Sequence, residues 1–137
     1  MREEKQPGAW LLEVFQQGGV DTRQLKTFLP DETHQALTSP ESLSPDQVNR
    51  ILLRCADLSG DANFGLRMTE LVNAKHLGPY GFLLLNAPTV GDTLRIAARY
   101  YRMFYRGGSL TFTEKGRKAR LVYRVMSSPT VSARHDN

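Results

Sequence analysis

The chain has 137 residues, 40% of them hydrophobic and 23% charged, which is one domain of ordinary globular composition and excludes a disordered or collagen-like protein. Its single cysteine, Cys55, excludes an internal disulfide, and no apolar run approaches 18 residues, so the sequence contains no membrane span. The net charge of +4 conceals an asymmetry: residues 1–61 hold 6 basic and 10 acidic side chains, residues 62–137 hold 12 and 4.

The start, Met1–Gly8, is polar and has no apolar core of a secretory leader, so the expected location is the cytoplasm. Residues 9–17 space Trp10, Leu11, Val14 and Phe15 helically and stop at Gly18-Gly19, a pair suited to the left-handed end of a helix. A second short helix follows, capped by Asp21 or Thr22. Residues 30–45 carry three prolines, several hydroxyl residues and little periodicity, and are expected to form a loop that includes His34. Ser44-Pro45-Asp46-Gln47 has the pattern of a capping box with proline at the first helical position. The helix it opens should run to about Leu58, with Val48, Ile51, Leu52, Cys55 and Leu58 inward.

Ser59-Gly60-Asp61 breaks that helix, and Asp61 is the expected cap of another reaching about Val72, with Phe64, Met68, Leu71 and Val72 inward. Residues 73–79 read as a connector. Tyr80–Leu85 is ambiguous by periodicity, and its place between helices and lack of β-branched residues favour a short helix. Thr89, with Asp92 three residues on, caps the strongest helix, expected to extend to Arg106. Val90, Leu94, Ala97, Tyr101 and Phe104 recur at intervals of 4, 3, 4 and 3; Arg95, Arg99, Arg102 and Arg106 follow one residue later, about 100° around the helix. Gly107-Gly108 should stop it. Period two then takes over: Ser109–Glu114 and Ala119–Val125 flank a Lys-Gly-Arg-Lys turn, placing Leu110 and Phe112 on one face with Leu121, Tyr123 and Val125. The fold class is therefore α+β, with about five to six short helices followed by an antiparallel β-hairpin. The tail after Met126 reads as polar and loose.

Chemistry is sparse. His34, His76 and His135 stand singly, without the companions that a metal or haem site needs, and Cys55 lies on a buried helical face with no histidine near it in sequence. No nucleophile elbow, P-loop or dinucleotide fingerprint is present, so no catalytic residue, cofactor or metal is assigned and an enzyme is not expected. Tyr80, Phe82, Tyr101 and Phe104 read first as core. Their functional alternative is a cavity lined by Tyr80, Phe82 and Tyr101, with Arg95, Arg99 or Arg102 at its rim to hold an anionic small molecule.

Gly60-Asp61-Ala62-Asn63-Phe64-Gly65-Leu66-Arg67, then Leu77-Gly78-Pro79-Tyr80-Gly81-Phe82-Leu83-Leu84-Leu85-Asn86-Ala87-Pro88-Thr89-Val90-Gly91-Asp92-Thr93-Leu94 and Ala97-Ala98-Arg99-Tyr100-Tyr101-Arg102, resemble the N-terminal arabinose-binding-type domain of AraC/XylS-family bacterial transcription regulators. The hairpin around Glu114-Lys115-Gly116 fits the same pattern, and the resemblance spans roughly residues 8–137. It implies a cytoplasmic sensor that binds a small effector or forms a homodimer. DNA binding would belong to a C-terminal helix-turn-helix part absent from this chain, and the sensor domain itself is expected to be an incomplete fragment. It carries over no catalytic or ligand residues. Two other readings stand beside it: a stand-alone protein-interaction module using the hairpin edge, and direct nucleic-acid binding through the Arg95, Arg99, Arg102 and Arg106 stripe.

Overall fold

The computed structural model describes residues 9–126, and side-chain caps at Asp21, Ser44 and Thr89 open three of its α-helices. Seven α-helices, α1 (Ala9–Gln17), α2 (Thr22–Phe28), α3 (Pro30–Thr38), α4 (Pro45–Ser59), α5 (Phe64–Leu71), α6 (Gly78–Leu85) and α7 (Val90–Phe104), precede strands β1 (Gly108–Lys115) and β2 (Lys118–Val125). Short 3-10 turns occupy Pro40–Ser42 and Ala74–Leu77. The protein is thus α+β as expected, with one helix more than the sequence suggested.

The additional helix is α3, where a loop was expected. Pro30 sits in its first turn with Asp31 and Glu32, a start that suits both the missing N–H of proline and the helix dipole. Only Thr33 and Ala36 of this helix are buried, so its inward face carries too little apolar character to show a period. His34 is therefore helical and exposed.

At α4, Ser44 Oγ accepts from Gln47 N–H at 3.2 Å while Gln47 Oε1 accepts from Ser44 N–H at 2.8 Å. The helix ends at Gly60, whose φ of 71° lies in the left-handed region. At α2 the cap is Asp21, which accepts from Arg23 N–H at 2.9 Å. Asp61 does not cap α5 directly: it accepts from Asn63 N–H at 2.9 Å and holds Arg67 at 3.2 Å, so the helix starts later, at Phe64. The expected connector at 73–79 contains the second 3-10 turn and the start of α6.

The core lies within α1–α5. Leu12, Phe15, Val20, Leu25, Ala36, Leu43, Ile51, Leu52, Cys55 and Phe64 form one buried cluster. Phe15 and Phe64 meet at 6.0 Å between ring centroids, fastening α1 to α5. Gly18 lies against the Phe64 ring, where an added Cβ would stand 2.7 Å from a ring carbon, and its carbonyl accepts from Arg67 Nη2 at 3.1 Å.

The second half, α6, α7 and the hairpin, is covered more thinly. No residue of α7 is fully buried. Leu94, Ala97, Tyr101 and Phe104 are half-buried, as the stripe predicted, but Val90 is 78% exposed. Phe82, read as core or cavity wall, is 67% exposed because only Tyr80 and Gly81 of α6 turn inward. α7 stops at Phe104, not Arg106: Tyr105 turns to extended backbone. Gly107 and Gly108 are the entry to β1, not the stop signal of the helix. The hairpin register pairs Leu110 with Tyr123, Phe112 with Leu121 and Gly108 with Val125, the shared face expected from the alternation.

Two substitutions separate core from cap. Phe64→Ala should cost about 3–5 kcal/mol, because it opens a cavity under α1 and α5. Thr89→Ala should cost only ~1 kcal/mol, the worth of one helix cap. Urea unfolding followed by circular dichroism checks both.

Candidate functional site: an aromatic cleft between the two halves

Tyr80 anchors α6 to α7. It is 6% exposed, and its hydroxyl donates to the Ala97 carbonyl at 3.0 Å. Its ring stacks on Phe104 at 5.6 Å and meets Tyr101 edge-on at 6.4 Å. Tyr101 also meets Phe104 edge-on at 6.1 Å and Tyr123 of β2 at 5.9 Å. Tyr101 is therefore the point where α6, α7 and the hairpin converge. Burial, and then its hydrogen bond and proximity to Tyr123, hold the Tyr101 hydroxyl well above the ordinary tyrosine range, so it stays protonated and able to donate. Burial also raises Tyr80.

Two glycines let the tyrosines settle. The Tyr105 ring lies against Gly107, and a Cβ on Gly108 would stand 2.5 Å from the Tyr123 ring.

The face of this cluster turned toward α1–α5 does not close against them. The halves touch through few directional contacts: Arg106 N–H donates to the Glu41 carbonyl at 2.9 Å, and Trp10 of α1 stacks on His76 at 5.5 Å and 17°. Between them lies a cavity of about 440 Å³. Trp10, Leu43, Val48 and Leu77 form its apolar walls, and Tyr101, Tyr105 and Tyr123 one side. Thr38, Glu41 and His76 supply the remaining polar groups. His76 Nδ1 accepts from Asn73 N–H at 3.1 Å, which leaves Nε2 to carry the proton in the neutral ring. A second cavity of about 470 Å³ shares Trp10, Leu11, Leu43, Val48, Leu77 and Phe104 with the first and runs under α4 and α5, lined by Phe15, Ile51 and Met68. Both volumes are of the size that encloses a small organic molecule.

Of the six residues proposed from sequence, only Tyr101 lines this cleft; Tyr80 stands directly behind it. Phe82, Arg95, Arg99 and Arg102 line neither cavity. Arg95 is exposed and engaged by Asp92 at 2.9 Å and by Glu114, whose hydrogen bond and charge hold the guanidinium protonated more firmly still. Arg99 lies 5.4 Å from the Tyr100 ring centroid. Trp10 and His76, which the sequence pointed to only as a core residue and a lone histidine, and Glu41 and Leu43, which it did not single out, come from elements remote in sequence. The Tyr105-Arg106-Gly107-Gly108 junction is the only local signal of it: two glycines beside a tyrosine mark a place where rings lie close to backbone.

Among the described residues no three His, Cys, Asp or Glu side chains gather as a metal site, and none of the helices there is long and apolar enough to cross a membrane. His135 and the tail after Met126 lie outside the described residues.

The sequence pattern of the arabinose-binding domain of AraC transcription regulators, N-terminal, matches residues 33–136. The chain belongs to this family. No curated protein matches it. An AraC-type arabinose-binding domain is the N-terminal sensing domain of a transcription regulator, a ligand-binding part and not an enzyme. In this arabinose-binding-type domain the matched span covers most of α3 through the hairpin, whereas Trp10 and Leu11, two walls of the cleft, come from α1 before it.

Cys55 is the free thiol of the core. It is fully buried, and burial pushes its thiol from 9.0 up to about 12. The folded protein should resist thiol alkylation at pH 8 and react at once in denaturant. Because the folded value is the raised one, stability should be unaffected by this group below about pH 9. Above that the unfolded thiol ionises while the folded one keeps its proton, so stability should decline toward pH 12. Mass spectrometry of the alkylated protein and melting temperatures across that range check the two expectations.

Proposed function

We propose that this domain is the effector-sensing and dimer-forming part of a cytoplasmic AraC-type regulator, and that its effector occupies the aromatic cleft between α1–α5 and the α6–α7–hairpin half. The observation that carries this reading is the cavity of about 440 Å³ with Tyr101, Tyr105 and Tyr123 along one side. Its walls are mainly apolar, with a few polar groups to orient a ligand, the usual make-up of a small-molecule site.

The arginines proposed as an anion-holding rim stand outside both cavities, and Glu41 supplies the carboxylate among the walls of the first. The effector class best suited to this lining is therefore a flat or elongated, largely apolar molecule with a hydroxyl or amide to meet a tyrosine, and not a phosphorylated or polyanionic compound. In this reading a ligand that touches both halves favours one mutual arrangement of them and shifts the population toward it.

A thermal-shift panel of uncharged and anionic metabolites tests this. A hit should raise the melting temperature in proportion to occupancy. Tyr101→Ala or Leu43→Arg should abolish the shift, while Arg99→Glu combined with Arg102→Glu should leave it unchanged. Loss of the response in the arginine double variant alone, with Leu43→Arg still responding, would place the effector on the basic stripe and remove the cleft from consideration.

A further inference from the structure

The hairpin has two faces of very different character. Leu110, Phe112, Leu121 and Tyr123 share one, and Tyr123 and Phe112 bring that face onto α7, at 5.9 Å from Tyr101 and 6.0 Å from the Arg95 guanidinium. The alternation of strands sends the next residues to the opposite side, away from α7. There the register aligns Ser109 with Arg124, Thr111 with Val122, Thr113 with Arg120 and Lys115 with Lys118, and Arg117 sits in the turn. Every charged residue of this face is a cation. Glu114, the acid of the hairpin, pairs with Ala119 on the other face and is taken by Arg95.

Lys115, Arg117, Lys118, Arg120 and Arg124 are all exposed, and none makes an ion pair or side-chain hydrogen bond among the described residues. Lys115 and Lys118 stand directly opposite one another, a like-charge pair that weakens a two-stranded ribbon. A hairpin face kept merely soluble is served by mixed signs, with no such repulsion. The chain's acidic excess lies in its first 61 residues.

The geometry points to this hairpin face as a docking surface for the phosphate backbone of duplex DNA, separate from the effector cleft. Alternate residues of a strand lie about 7 Å apart, so Lys118, Arg120 and Arg124 form a straight ladder of about 20 Å. Duplex DNA offers one phosphate per ~3.4 Å of axis on each strand, and its major groove admits a two-stranded ribbon. Ser109, Thr111 and Thr113 stand between the cations as hydroxyl donors, the residue types that accompany Lys and Arg in phosphate contacts. An acidic protein partner fits less well. Val122 is the one apolar side chain on this face, and protein interfaces are built on aromatic and apolar anchors with charge depleted at the centre. In a transcription regulator such a surface would add sequence-independent affinity and leave base reading to other parts.

The test is titration of the 137-residue chain against a short duplex of unrelated sequence, without effector, from about 50 to 200 mM salt. The unsubstituted protein should bind at the low end and lose affinity steeply with salt. Arg117→Glu with Arg120→Glu and Arg124→Glu should weaken binding at least roughly tenfold and lower the logarithmic salt slope by about 2 to 3, near 0.9 for each phosphate no longer engaged. The same three positions changed to Lys should keep the slope. Should the triple reversal melt early, the singles Arg120→Gln and Arg124→Gln replace it, each lowering the slope by about one.

No binding at low salt overturns the assignment, as does an unchanged slope in the reversed variants. Equal loss from Arg99→Glu with Arg102→Glu overturns it in favour of the α7 stripe. Competition by polyglutamate as effective as by DNA overturns it in favour of an acidic protein. None of these variants touches the cleft, so this result and the effector assay fail or succeed independently.

Discussion

The second half of this protein depends on the convergence of rings at Tyr101. α7 has no fully buried residue, and α6 contributes only Tyr80 and Gly81 to the interior. What fixes α6, α7 and the hairpin relative to each other is the set of contacts among Tyr80, Tyr101, Phe104 and Tyr123, reinforced by the Tyr80 hydroxyl on the Ala97 carbonyl. Aromatic pairs at these separations each add about 0.5–1.5 kcal/mol beyond the area they bury. A two-stranded hairpin is marginal alone, so its position is inherited from this cluster. Three of these rings, Tyr101, Phe104 and Tyr123, also line the cleft. Holding the half together and presenting a surface to a ligand are thus one arrangement seen from two sides.

The first half is held differently. Its cluster around Phe15, Leu25, Ile51, Cys55 and Phe64 is fully buried and dense, and capping at Ser44 and the left-handed Gly60 fixes the length of α4. A buried bundle thus faces a thinner, ring-built unit. The boundary between them is crossed by the Arg106–Glu41 backbone hydrogen bond and the Trp10–His76 stack, and both cavities open along it.

Much of the architecture was legible in the sequence because it is written locally. Capping at Asp21, Ser44 and Thr89, the two-residue alternation of the hairpin and the breaks at Gly18-Gly19 and Gly60 each depend on a few neighbouring residues. α3 was not legible, because Thr33 and Ala36 bury a face that is neither large nor strongly apolar. Phe82 and Val90 misled for the converse reason: apolar residues at helical spacing face solvent when no element covers them. The cleft was legible only at Tyr101. Its opposite walls come from α1, the Pro40–Ser42 turn and the Ala74–Leu77 turn, and no periodicity within one segment reports which distant elements will meet. Arg95, Arg99 and Arg102 lie on α7 as expected, whereas Arg106 falls beyond its end, and Asp92 and Glu114 hold Arg95 on the outer surface, away from the cleft.

Trp10 gives this arrangement a practical consequence. It is the only tryptophan in the chain, it lies flat against His76, and it borders both cavities. A molecule seated against this wall would cover the indole or part it from the imidazole, and so alter the polarity around it. The protein therefore carries its own optical gauge of filling: the colour and intensity of its intrinsic emission report on the boundary between the halves, with no second indole to dilute the signal.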